Sequence, residues 1–173
     1  MEIKLEGIDK VLAVLHPRIY TKALNKTVND IGSKIKTQSV RDVRKTYNIS
    51  AKELKSYMKI RRSRYSRMSY SMEVESNRRN AIHFSSRIMK KKGYASVRIK
   101  KTKGRSTLRN TFKSKDGKAL LHRVGKTQKI EAVQTISVPQ MFNEKILKEA
   151  NDMASNEFGK KLQDNFKFYI GDI

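Results

Sequence analysis

Apolar residues recur along the chain first at helical and then at strand spacing. Met1, Ile3 and Leu5 alternate with polar residues and predict a short strand; Val11, Leu12 and Leu15 behind Gly7-Ile8-Asp9 predict a short helix. Pro17 suits the first turn of a new helix, where its missing N–H costs nothing. Beyond it Ile19, Leu24, Val28, Ile31, Ile35 and Val43 follow a helical period, predicting one long amphipathic helix to about Tyr47. Gly32 is a weak point in that helix, worth about 1 kcal/mol relative to Ala. Ser50-Ala51-Lys52-Glu53 has the form of a capping box and predicts a third helix, ending near Ile60-Arg61-Arg62.

After Arg67 the period changes. Tyr70, Met72 and Val74 alternate with polar residues, Ala81-Ile82-His83-Phe84 is a second short strand candidate, and Ala95, Val97 and Ile99 form the clearest strand. Phe112, Leu120-Leu121, Val124, Ile130 and Val133 fit further strands, with turns at Asp116-Gly117 and Gly125-Lys126. Pro139 closes this region. From Phe142 onward Ile146, Leu147, Ala150, Ala154, Phe158, Leu162, Phe166 and Tyr169 mark a C-terminal amphipathic helix. Helices, an antiparallel sheet, then a helix define an α+β fold. Its expected organisation is one domain over 1–173: a helical part over 1–67, a sheet part over 68–136 and the C-terminal helix over 137–173. The stretch Lys100–Lys118, dense in Lys, Arg, Gly, Ser and Thr, reads as a long, mobile basic loop.

Charge changes this picture most. The 173 residues carry 40 Lys+Arg against 16 Asp+Glu, a net +24. Residues 1–50 hold 10 basic and 5 acidic side chains, residues 51–130 hold 25 and 4, and residues 131–173 hold 5 and 7. The middle eighty residues therefore carry +21, which calls for an acidic partner: nucleic acid, an acidic protein surface or anionic lipid. The candidate contacts are Arg61, Arg62, Arg64, Lys90, Lys91, Lys92, Lys100, Lys101, Lys103, Arg105 and Arg109. A solvated surface around a thin core is the plain alternative. Tyr65, Tyr70 and Tyr94 lie among these cations, as stacking platforms do, although Tyr70 also fits the buried face of its strand.

Chemistry beyond charge is sparse. With no Cys, disulfides, thiol catalysis and cysteine-based zinc sites are excluded. His16, His83 and His122 show no metal-ligand spacing; sheet pairing that brought His83 near His122 would be a chance contact. Glu73 and Glu75 share a strand face and cannot flank a substrate. No nucleophile elbow, phosphate-cradling loop or dinucleotide fingerprint occurs, so neither an enzyme nor a cofactor is expected. No apolar run approaches the ~18–20 residues that cross a bilayer, and no signal peptide is evident. The expectation is a soluble protein, intracellular when made, with no membrane partner.

Several segments occur in a recognisable order: Asn80-Ala81-Ile82-His83-Phe84, then Ala95-Ser96-Val97-Arg98-Ile99-Lys100, then Lys103-Gly104-Arg105-Ser106-Thr107-Leu108-Arg109-Asn110-Thr111-Phe112. Leu121-His122-Arg123-Val124-Gly125-Lys126 and Gln134-Thr135-Ile136-Ser137-Val138-Pro139-Gln140-Met141-Phe142 follow. With Ala23-Leu24-Asn25-Lys26-Thr27 upstream, this order resembles the prophage minor tail protein Z family of long-tailed phages over roughly residues 20–170. Ser137, Val138, Pro139, Gln140 and Met141 are its most specific piece and a candidate assembly or structural motif. Two departures stand out: the family's Gly before Ala-Phe is absent from Leu108-Arg109-Asn110-Thr111-Phe112, and Thr127-Gln128-Lys129 replaces Arg-Leu-Pro.

The resemblance implies a structural protein that completes the tail or its junction with the head, and no catalytic activity. It also implies tail or neck proteins as partners, self-association in the virion, and location in the virion tail after assembly in the host cytoplasm. The second reading, carried by the central +21, is a sequence-independent nucleic-acid-binding protein. The two overlap where a tail component meets the end of the packaged genome.

Overall fold

The computed structural model describes residues 16–125 and 127–171. The strand expected over Met1–Leu5, the helix carrying Val11, Leu12 and Leu15, and Lys126 of the expected turn lie outside these residues. Helix α1 is Pro17–Thr46, opened by its proline and closed by Arg44 and Lys45, cations suited to the negative end of the helix dipole. Helix α2 is Ala51–Ser56, capped by Ser50 Oγ, which accepts the Glu53 N–H at 3.1 Å. The Glu53 carboxylate does not serve the cap; it takes Arg79 at 2.5 Å and His83 Nδ1 at 3.1 Å.

Helix α2 stops well before the expected Arg62. Met58–Arg61 is strand β1 instead, with Met58 buried and Ile60 half-buried. The period of two between those residues prevails over helical continuation. Strand β2 (Ser71–Val74) pairs with β1, and β3 is Arg78–Asn80. Ala81–His83, expected as strand, is a 3₁₀ turn. Its buried residues are Ala81 and Phe84, three apart, a spacing that puts both on one side of a 3₁₀ turn but on opposite faces of a strand.

Strands β4 (Ser85–Ile88), β5 (Tyr94–Arg98) and β6 (Ser106–Arg109) form an antiparallel sheet in that order. Strands β7 (Thr111–Lys113), β8 (Leu120–Arg123) and β9 (Ile130–Ala132) form another. Strand β10 (Gln134–Ser137) pairs back onto β3 with an irregular register. The expected central sheet is thus delivered as four small sheets among the described residues. The expected mobile loop over Lys100–Lys118 instead contains β6 and β7. A second 3₁₀ turn at Pro139–Met141 leads into helix α3, Glu144–Gly171.

The chain divides into two compact units. The first gathers residues up to Ser39, Ile60–Glu73 and residues from Glu144 on. Its helices run antiparallel: Ala23 packs with Leu162 and Phe166, and Lys34 reaches Glu157 at 2.5 Å. Between these contacts a buried polar pair closes the seam. Asn165 Nδ2 donates to Thr27 Oγ1 at 2.9 Å, and Thr27 Oγ1 donates to Ala23 O at 2.8 Å. In the same unit the Tyr70 ring lies directly over Gly32. A Cβ on Gly32 would sit 2.5 Å from Tyr70 Cδ1 and Cδ2, and closer still to Cγ. Burial pushes the Tyr70 hydroxyl up, against a Ser33 hydrogen bond and the charge of Arg62. Leu147, expected on the apolar face of α3, is 51% exposed.

The second unit comprises Val40–Lys59 and Val74–Asn143. Its core includes Val43, Leu54, Ala81, Phe84, Val97, Leu120, Val138 and Met141. The β7–β8 turn is set by Asp116, whose Oδ1 accepts from Ser114 Oγ at 2.6 Å and Lys118 N–H at 3.1 Å; these bonds hold its carboxyl below the usual range. Gly117 there has φ +71°. Between β6 and β7, Asn110 has φ +52°. Asn is among the residues that best tolerate the left-handed region.

Two expectations follow. Gly32→Ala should destabilise the protein by about 1–3 kcal/mol through overpacking, although in an open helix the same change gains about 1 kcal/mol. In a Tyr70→Ala background the loss should disappear; urea unfolding of both singles and the double variant measures this. A more stable Gly32→Ala single variant would mean that the ring moves aside freely. At the β6–β7 corner, Asn110→Gly should be tolerated, while Asn110→Val should cost about 1–2 kcal/mol through its backbone alone. Equal losses for both would assign the role to the Asn side chain instead.

Candidate functional site

The segment Ser137–Met141 forms a closed corner. Val138 and Met141 are fully buried. Ser137 N–H donates to Gln140 Oε1 at 3.0 Å, Val138 N–H to Ser76 Oγ at 2.8 Å, and Met141 N–H to Val138 O at 3.0 Å. Pro139 opens the 3₁₀ turn, where no N–H is needed. Only Gln140 of the five is well exposed. Asn80–Phe84 is equally internal: the Asn80 amide bonds Ile82 N–H and both backbone groups of Leu120, and Ala81 and Phe84 are buried. His83 is drawn to Glu53 and to Arg79, 3.0 Å from its Nε2, which fits the tautomer with the proton on Nδ1. His122 lies in β8 opposite Thr111 and Glu131.

The candidate cations divide between the units. Arg61, Arg62 and Arg64 belong to the first. The Asn29 side chain anchors that segment to α1, donating to Ser63 O at 3.1 Å and accepting Ser63 N–H at 2.9 Å. Arg61 lies 3.8 Å from Glu73 and all three guanidinium groups are exposed.

The remaining candidates belong to the second unit and flank β5. Lys90, Lys91 and Lys92 occupy the β4–β5 turn, and Arg109, opposite Tyr94, lies at the same end. Lys100, Lys101, Lys103 and Arg105 occupy the β5–β6 connection at the other end. Five strand residues at about 3.3 Å each hold the two clusters roughly 15 Å apart. They form two cationic poles of one sheet.

Not all of these cations are free. Arg105 clamps the sheet, donating to Ser96 Oγ at 3.0 Å, Ser85 Oγ at 3.2 Å and Ser85 O at 2.6 Å. Lys91 lies over the half-buried Tyr94 ring at 4.7 Å, and Lys100 over the buried Tyr47 ring at 5.6 Å. Lys90, Lys92, Lys101, Lys103 and Arg109 direct no side-chain bond to another described residue and are exposed. Of the candidate stacking tyrosines, Tyr65 is 62% exposed, whereas Tyr70 covers Gly32.

Sequence reasoning passed over Arg98, whose guanidinium binds the carbonyls of Lys101 and Lys103 and so shapes the second pole. It also passed over Ile88 and Met89, exposed beside Lys90 at the first pole. What the arrangement offers chemically is cationic donors on a fixed scaffold. Among the described residues no group of three metal-ligating side chains comes together, and no helix is long and apolar enough to cross a membrane.

Comparison with known proteins agrees with the segment order. The family model for prophage minor tail protein Z matches residues 3–171. No curated protein and no solved structure matched the chain. A family match that spans nearly all of the 173 residues shows that the chain, an α+β protein, belongs to the prophage minor tail protein Z family, structural proteins of the phage tail.

Proposed function

We propose that this chain completes the tail, at or near its junction with the head, by protein–protein assembly and without catalysis. It is made in the host cytoplasm, joins other tail or neck proteins, and stays in the virion tail as one of several copies in rotational symmetry. The observation that carries this reading is where the family segments lie. Asn80–Phe84 and Ser137–Met141 are occupied in bonding and filling the interior of the second unit. The surface carries clustered charge, at the two poles of β4–β5–β6 and at Arg61–Arg64, beside exposed apolar residues such as Ile88 and Met89, which suits contact with neighbours.

The same charge supports a second reading, contact with the end of the packaged genome. Duplex DNA would bind through its phosphates without sequence preference. If about six phosphates are engaged, the log–log salt slope should be near −5, at roughly −0.9 per phosphate.

The comparison that separates the readings is a titration of random duplex DNA and of the purified neighbouring tail protein, each at several salt concentrations. The assembly reading expects the protein partner to saturate at fixed stoichiometry and to persist at salt that abolishes DNA binding. Tight DNA binding with the stated slope, and none to the tail protein, would replace assembly by the nucleic-acid role.

A further inference from the structure

The β5–β6 connection is built more tightly than a run of lysines predicts. Tyr47, just past α1, bridges Lys100 in antiparallel fashion. Asn48 N–H donates to Ile99 O and Lys101 N–H to Thr46 O, both at 2.8 Å. On its other side the Arg98 guanidinium takes the Lys101 and Lys103 carbonyls. The Ile99, Lys101 and Lys103 carbonyls are thereby engaged, while the lysine side chains of the connection have no acid near in sequence: none occurs between Glu75 and Asp116.

Lys100 and Lys103 border a groove of about 290 Å³. Tyr47, Ile99 and Ile136 give it apolar walls; Lys100 and Lys103 give it charge. Lys100 is steadied over the Tyr47 ring at 5.6 Å. Gln140 also lines it, and because its Oε1 accepts Ser137 N–H, its amide nitrogen remains as a donor. No carboxylate lines the groove. A concave site with two cations, a neutral donor and apolar walls, held by a backbone already hydrogen-bonded, is preorganised for an anion that carries hydrocarbon.

We propose that this groove receives an acidic side chain, flanked by an apolar residue, from a loop of a neighbouring protein. The proposal deepens the assembly reading and rests on it for the partner, though not for the binding itself. A protein loop is favoured over nucleic acid by the walls. A sugar–phosphate backbone offers Ile99 and Ile136 far less apolar surface than a Leu or Ile side chain, and a duplex is a rod that suits a row of cations better than one concavity. A Glu or Asp beside Leu or Ile satisfies both halves of the groove.

The test is an amide NMR titration of the full chain at low salt with three probes. These are the peptide acetyl-Gly-Leu-Glu-Leu-Gly-amide, the same peptide with Gln for Glu, and a 12-base-pair random duplex. Shifts with the Glu peptide should centre on Tyr47, Lys100, Lys103, Ile136 and Gln140. The Gln peptide should bind roughly tenfold more weakly, the effect of losing one charge-assisted contact. Lys100→Gln/Lys103→Gln should lose about as much with its circular dichroism and melting unchanged, while Lys91→Gln/Lys92→Gln at the opposite pole keeps wild-type affinity.

Absent binding of the Glu peptide, equal binding of the two peptides, equal shifts at both poles, or tighter binding of the duplex in the groove would each overturn the proposal. Failure of the assembly reading has a separate signature. The chain would be missing from purified tails, whatever the peptide titration shows.

Discussion

The amide of Asn80 makes the connection on which the second unit depends. Its Oδ1 accepts Ile82 N–H at 3.0 Å and Leu120 N–H at 2.8 Å, and its Nδ2 donates to Leu120 O at 2.9 Å. One side chain therefore stands in for a strand partner to β8 while it caps the 3₁₀ turn after β3. The strands involved have three or four residues, too short for sheets that stand alone. Side chain–backbone bonds hold such fragments together: Ala81 N–H to Val133 O continues the tie on the main chain, and Thr135 Oγ1 to Arg79 O adds a third. Loss of the Asn80 amide would leave two backbone donors, Ile82 N–H and Leu120 N–H, unpaired at the rim of a core formed by Ala81, Phe84 and Leu120, while Leu120 O keeps the Val133 N–H at 2.9 Å; each lost partner costs about 1–3 kcal/mol if buried.

The same economy explains why the family segments are interior. Ser76 caps Val138, Gln140 caps Ser137, and between those bonds Val138 and Met141 fill the core. A sequence signature of polar residues set among buried ones is the trace of corners that close small sheets, and it says nothing of a reaction.

Much of the fold was legible where one period ran long enough. The helical stripe of α1, the alternation of Ala95 and Val97 in β5, the Ser50 cap and the Asp116-Gly117 turn all follow from local rules. Three kinds of feature were not legible. A short strand with a single apolar residue, β6 with Leu108, reads as basic loop because no alternation can show. Close approaches depend on distant partners: Gly32 reads as a helix defect until Tyr70 is placed over it. Buried polar residues read as surface, so the Thr27–Asn165 pair lay outside the apolar stripes of both helices. The charge block was plain in the sequence, but its division into two poles, and into free and engaged cations, needed the register of β4, β5 and β6.

That division follows the chemistry of the two basic side chains. Arg79 binds Glu53 and lies over Tyr57 at 4.5 Å, Arg98 gathers two carbonyls of its own turn, and Arg105 spans β4 and β5. Each uses a planar, many-donor group that loses little on immobilisation. The lysines are point charges on flexible stems and strongly hydrated, so Lys90, Lys92, Lys101 and Lys103 remain outside. At the second pole arginine thus ties the scaffold and lysine supplies open charge, whereas Arg109 at the first pole is itself exposed. Arg98 and Arg105 keep their charge, but their donors are taken by the fold and are not left for a partner. At the second pole that open charge sits on a backbone made rigid by arginine, so the cations least engaged in the fold are held in place by those most engaged in it.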